Sequence, residues 1–125
     1  MNQAPKTFIT ICSMADIPLE EAQEKWLEIW EKTIRDFLVW LLKEVDLTPK
    51  QLQETEKIFN DVKSQKIKNR HILDLIIPIL ESDQQALAIE KFSEIFVDHL
   101  DNFYTDLKAK LNLEQKQVLK AYLST

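Results

Sequence analysis

Two histidines, one cysteine and a run of basic residues are the side chains of this 125-residue chain best suited to chemistry. His71 stands three residues before Asp74; His99 follows Asp98 directly, with the neutral Asn102 three residues on. A helical Glu-x-x-His pair would hold a di-iron centre, and His-Glu-x-x-His would place two zinc ligands beside a general base. Neither spacing occurs, so both histidines read as surface or core-rim residues. Cys12 stands alone, which excludes a disulfide within the chain and a Cys-based zinc site and suits a reducing compartment. Lys63, Lys66, Lys68 and Arg70 read as a solvated turn with cations near a helix end; the alternative is a patch for an anion or an acidic partner. Glu90, Glu94, Asp98 and Asp101 fall on one helix flank and read as a solvated face. With no nucleophile motif, phosphate loop or metal spacing, the expectation is a protein that is no enzyme and takes no cofactor and no metal.

These residues need a scaffold, and the composition narrows it to helices. The chain is 45% hydrophobic and 30% charged, which suits one folded domain with a modest core. Glycine is absent and only four prolines occur, which argues against β-hairpins. A net charge of -5 disfavours non-specific binding to nucleic acid. No apolar run approaches the ~20 residues that span a bilayer.

The longest element is Leu19 to Val45. Trp26, Trp30, Ile34 (or Thr33), Phe37, Leu41 and Val45 recur at steps of three and four, one face of a helix of roughly 40 Å. Its start is expected near Asp16, acting as the cap, with Glu21/Lys25, Glu28/Lys32 and Glu31/Arg35 pairing on the solvated side. Phe37 to Leu42 is apolar on every side. Thr48 and Gln51 form a capping box with Pro49 in the first turn, opening a helix to about Ser64 with a thin stripe of Leu52, Ile58, Phe59 and Val62. A short helix from Asn69 to about Leu80 is apolar almost all round and should be deeply buried, with a stop near Ile77 imposed by Pro78. A second box at Ser82–Gln85 opens a long helix whose inward residues include Ile89, Phe92, Phe96, Leu100, Phe103, Leu107 and Leu111. Asn112 and Gln115 form the third box, before a short terminal helix. The fold expected is all-α: a bundle of four main helices plus a short C-terminal one, with the two long helices as spine. Residues 1–15 are expected to be a flexible N-terminal tail, their apolar stretch being too short and polar for a signal peptide, and residues 16–125 the single bundle domain.

Leu47-Thr48-Pro49-Lys50-Gln51 resembles the LTxxQ motif of the small periplasmic stress chaperones of the Spy and CpxP type, and Leu111-Asn112-Leu113-Glu114-Gln115 resembles a degraded second copy. The resemblance could extend from Leu47 to Tyr122. It implies a four-helix cradle, a dimer with a shallow apolar concave face, and ATP-independent holding of unfolded clients. The acidic balance departs from that family, as does the expectation that residues 1–15 are not a signal peptide.

The functional reading is a non-enzymatic protein-binding module, an adaptor, regulator or inhibitor, acting through an apolar surface of the first long helix. Ile29, Val39 and Trp40 point away from the centre of its buried face and are the expected protein-binding residues, with Asp36 beside them. A homodimer through that patch is the simplest arrangement. The alternatives are a holdase chaperone and, third, a small-ligand carrier. The expected compartment is the cytoplasm, or the periplasm if the chaperone resemblance holds.

Overall fold

The computed structural model describes residues 4–64 and 72–124. The regular elements among them are helices: α1 (Lys6–Met14), α2 (Leu19–Glu44), α3 (Pro49–Lys63), α4 (Ile72–Ile76), a 3-10 turn (Ile77–Ile79), α5 (Ser82–Ala109) and α6 (Leu113–Leu123). The fold is an all-α bundle, and α2 and α5 share its most extensive helix–helix contact. Lys66, Lys68, Arg70 and His71, with the expected helix start at Asn69, lie outside the described residues.

Aromatic rings hold the spine together. Phe96 meets Trp26 edge-on at 5.4 Å and Trp30 at 5.2 Å, while Phe92 meets Trp30 at 5.6 Å and Phe37 at 5.2 Å. Edge-to-face and tilted pairs at these distances add about 0.5–1.5 kcal/mol each beyond simple burial. Ile89 is 51% exposed, contrary to the sequence reading, and Ala88 is buried in its place. The inward line on α5 runs through Ala88, Phe92 and Phe96 at steps of four, with the small side chain where α5 meets the cluster of Ile34, Phe37 and Leu41.

Within the stretch expected to form a loose tail, Lys6–Met14 is instead a helix. From Lys6 to Met14, α1 buries Phe8, Ile11 and Cys12. It ends in a Schellman turn: the Ile17 N–H donates to the Cys12 carbonyl and the Asp16 N–H to the Ser13 carbonyl, both at 3.0 Å. Asp16 takes the left-handed conformation there, with φ 61°, a position glycine would normally fill and this chain has none. Asp16 therefore closes α1 rather than capping α2, whose N-cap is Pro18. The Gln115 amide donates to the Asp16 carboxylate at 2.7 Å and ties α6 to this turn.

The remaining helix ends are joined by glutamines. The Thr48 hydroxyl accepts from the Gln51 N–H at 3.2 Å, and the Gln51 side-chain oxygen accepts from the Thr48 N–H at 2.9 Å. The same Gln51 amide nitrogen donates to the Ile79 carbonyl and to Gln84 Oε1. Gln84 Oε1 also accepts from the Glu81 N–H, so α5 opens with Glu81 as N-cap, one residue before the expected Ser82. Gln85 is thereby released, and its amide donates to the Ile77 and Leu80 carbonyls. Carbonyls around the stop at Pro78 are thus satisfied by side chains, which a buried helix end requires.

This knot sets the first turns of α3, while Ile58, Phe59 and Val62 further along pack half-buried against the core. The buried residues of α3 are the polar Gln51 and Thr55, and Leu52 is 37% exposed, because the Gln51 amide must face the carbonyl of Ile79. The described part of the 69–80 stretch is buried along one line only, Ile72, Ile76 and Leu80, with Leu75 exposed, so it is not enclosed all round. On the solvated face of α2, Lys25 pairs with Glu28 at 3.8 Å rather than with Glu21.

The two residues of the first box should separate in a stability measurement. Thr48→Ala removes one capping bond and should cost about 1 kcal/mol. Gln51→Ala also orphans the Ile79 carbonyl and should cost about 2–3 kcal/mol. Urea midpoints of the two variants at constant m-value measure the difference; equal losses would mean that the cross-helix bonds contribute nothing.

Candidate functional site

The apolar surface expected on the first long helix does not assemble. Ile29 is only 4% exposed and packs with Phe8, Cys12, Ala22 and Trp26. The cover is α1, anchored further by the Ala4 N–H donating to the Gln23 side chain at 2.9 Å. Trp40 is half-buried, stacked on Phe37 at a centroid distance of 5.9 Å and packed against the cluster that α2 builds with α4 and α5. Val39 is half-buried as well. Ile29 thus belongs to the core, and the three residues do not form one free face.

The side chain beside them does have a role in the fold. Asp36 Oδ2 lies 2.6 Å from His99 Nε2, linking α2 to α5 at the rim of their contact. The sequence offers Asp98 and Asn102 as the obvious neighbours of His99; the actual partner lies 63 residues away, and only the docking of the two helices brings it there.

Cys12 and Tyr104 lie against the same core. Burial, with a smaller push from the Glu21 carboxylate, raises the Cys12 thiol to about 11. Burial also raises the Tyr104 phenol to about 12, with Cys12 and Tyr122 adding to the effect. Cys12 is therefore held as the thiol, a small apolar side chain rather than a nucleophile. Among the described residues, no group of three or more His, Cys, Asp or Glu side chains is placed to hold a metal ion, and no helix is long and apolar enough to cross a membrane.

An open groove lies elsewhere, along the seam of α5 and α6, with a volume of about 600 Å³. α6 turns Lys116, Leu119, Lys120 and Leu123 toward it, at positions i, i+3, i+4 and i+7 of one helical face. The α5 wall is Thr105, Lys108 and Ala109. Leu119 is buried at the floor and Leu123 is 54% exposed at the edge. A smaller hollow of about 300 Å³ adjoins it, reaching Ile11, Tyr104 and Leu107 and lined at one side by Asp101. Sequence periodicity places Val118, Leu119 and Tyr122 inward, of which Val118 is instead 49% exposed, and it gives no sign of the groove, which depends on how far α6 stands off from α5. Asn112 and Gln115 set that stance: each accepts from the other's backbone N–H, at 2.8 and 3.0 Å, while Gln115 also holds Asp16.

Two outcomes follow. Trp40→Glu should lower stability by about 2–4 kcal/mol, since it places a carboxylate against the Phe37 ring and the core, and thermal unfolding followed by circular dichroism measures it. Because the folded state raises the Cys12 and Tyr104 pKa values above their ordinary 9.0 and 10.0, it favours the neutral forms. Their contribution is intact below pH 9 and is lost as pH rises through about 11 to 12. Iodoacetamide at pH 8 should accordingly leave Cys12 unmodified in the native protein and label it in denaturant, with mass spectrometry as the readout.

Compared with known proteins, the chain matches no family model, no curated sequence and no solved structure.

Proposed function

We propose that this chain is a non-enzymatic protein-binding module whose docking surface is the groove between α5 and α6. The observation that carries this reading is the groove itself: an apolar floor at Leu119, bordered by Leu123 and Ala109 and left open between two helical walls. Other exposed apolar residues, such as Ile89 and Val97, are not among the residues lining this groove. α6 contributes only Leu119 to the buried residues of its own span, and its Leu123 remains in solvent. α5 and α6 are joined by a short turn, and α6 packs on α1, which leaves between α5 and α6 a cradle into which a third, amphipathic helix can lay its apolar face. The surface differs from the expected one on α2, and the class of function is the same.

A neutral amphipathic peptide with leucines at helical spacing and serine and glutamine elsewhere tests the reading. Titrated into ¹⁵N-labelled protein, it should shift amide signals between Thr105 and Leu123 and leave those around Trp40 unchanged. Leu123→Asp removes an exposed side chain, so the fold should survive, and affinity should fall about tenfold, the equivalent of roughly 1.4 kcal/mol. Equal binding by the variant, or shifts confined to another face, would remove the groove as the docking surface.

A further inference from the structure

We infer that the partner segment of the α5–α6 groove is an acidic amphipathic helix. The inference rests on the groove being the docking surface and adds the chemistry of its occupant. The chain carries a net charge of -5, yet every ionisable side chain along the larger part of the groove is a lysine: Lys108, Lys116 and Lys120. None of the three has a carboxylate partner among the described residues, whose ion pairs join Lys25 to Glu28, Lys91 to Glu94 and His99 to Asp36. The charges that line the groove are therefore opposite in sign to the net charge of the protein, and they border an apolar floor. Such a site attracts a segment with apolar residues on one side and carboxylates at the edges of that side.

The geometry favours a helix as the form of that segment. Both walls are helical faces, and α6 has 11 residues, about 16 Å or three turns. Apolar residues of the partner at i, i+3 or i+4, and i+7 would match Leu119 and Leu123 along that length. The adjoining hollow between Ile11, Tyr104 and Leu107 accepts one larger side chain from the end of such a helix. Asp101 lines that hollow, so the partner's carboxylates belong over the three lysines and not at that end.

Three versions of one peptide test the inference: the same leucine face flanked by glutamates, by glutamines or by lysines. The acidic version should bind at least tenfold more tightly than the basic one, with the neutral version between them, and should weaken as salt rises from about 0.05 M to about 0.5 M. The double variant Lys116→Glu/Lys120→Glu changes only exposed side chains, and circular dichroism checks its fold. It should reverse the order, so that the basic peptide binds best. Binding of all three versions with equal affinity would overturn the acidic partner and leave the groove standing as a docking surface. No binding by any version would overturn both. Decanoate occupying the groove in the same titration, with no peptide able to displace it, would identify a carrier of small anionic amphiphiles and reject the helix. Sedimentation of the protein alone as a dimer that Leu123→Asp dissociates would identify a second copy as occupant and reject it likewise.

Discussion

The burial of α2 is the constraint from which the rest of the bundle follows. A helix that carries three tryptophans and the run Phe37–Leu42 has more apolar surface than one neighbour can cover. Each large side chain taken fully out of water contributes about 1.5–3 kcal/mol, so leaving part of this surface exposed would sacrifice much of the stability of a domain this size. The chain answers by surrounding α2. α5 supplies phenylalanines to the Trp26, Trp30 and Phe37 face, and α1 closes over Ile29 and Ala22. Ile58, Phe59 and Val62 of α3, with Ile72 and Ile76 of α4, complete the cover around Leu38 and Leu41.

Surrounding one helix with several short ones multiplies helix ends, and each end leaves backbone groups that need partners. With no glycine to make left-handed turns, the chain uses other means. Asp16 adopts the left-handed conformation itself, and Gln51, Gln84, Gln85 and Gln115 each bond groups outside their own helical turn. A glutamine amide offers one acceptor and two donor hydrogens, enough to close a capping box and reach a second segment. The LTxxQ-like motif is thus occupied in joining α3 to the Pro78 stop and to the start of α5.

α6 is the helix that α2 does not need. It reaches the core through Leu119 and Tyr122, beside Ile11, Leu107 and Leu111, and Lys116, Lys120 and Leu123 border the groove. The main core is packed without the outer residues of α6, so an exposed Leu123 there subtracts nothing from it. The lysines at its edges supply charge without disturbing the apolar floor.

Local rules sufficed for much of this architecture. The 3.6-residue period of α2 and α5 identified the spine, and the spacing of Thr48 to Gln51 and of Asn112 to Gln115 identified two helix starts, because these signals are complete within a few turns of chain. Tertiary structure decided what depends on distant residues. Phe8, Ile11 and Cys12 in isolation read as a short, polar-interrupted apolar stretch; only the uncovered side of α2 makes them a helix with a buried face. Ile29 follows from the same event, since a residue is exposed or buried according to what lies over it. Asp36 finds His99 only when α2 and α5 dock, and the Gln51–Gln84 bond buries Gln51 at the start of α3 while Leu52 beside it stays exposed. The α5–α6 groove is likewise a property of two helices and the gap between them, and periodicity within either one cannot express it.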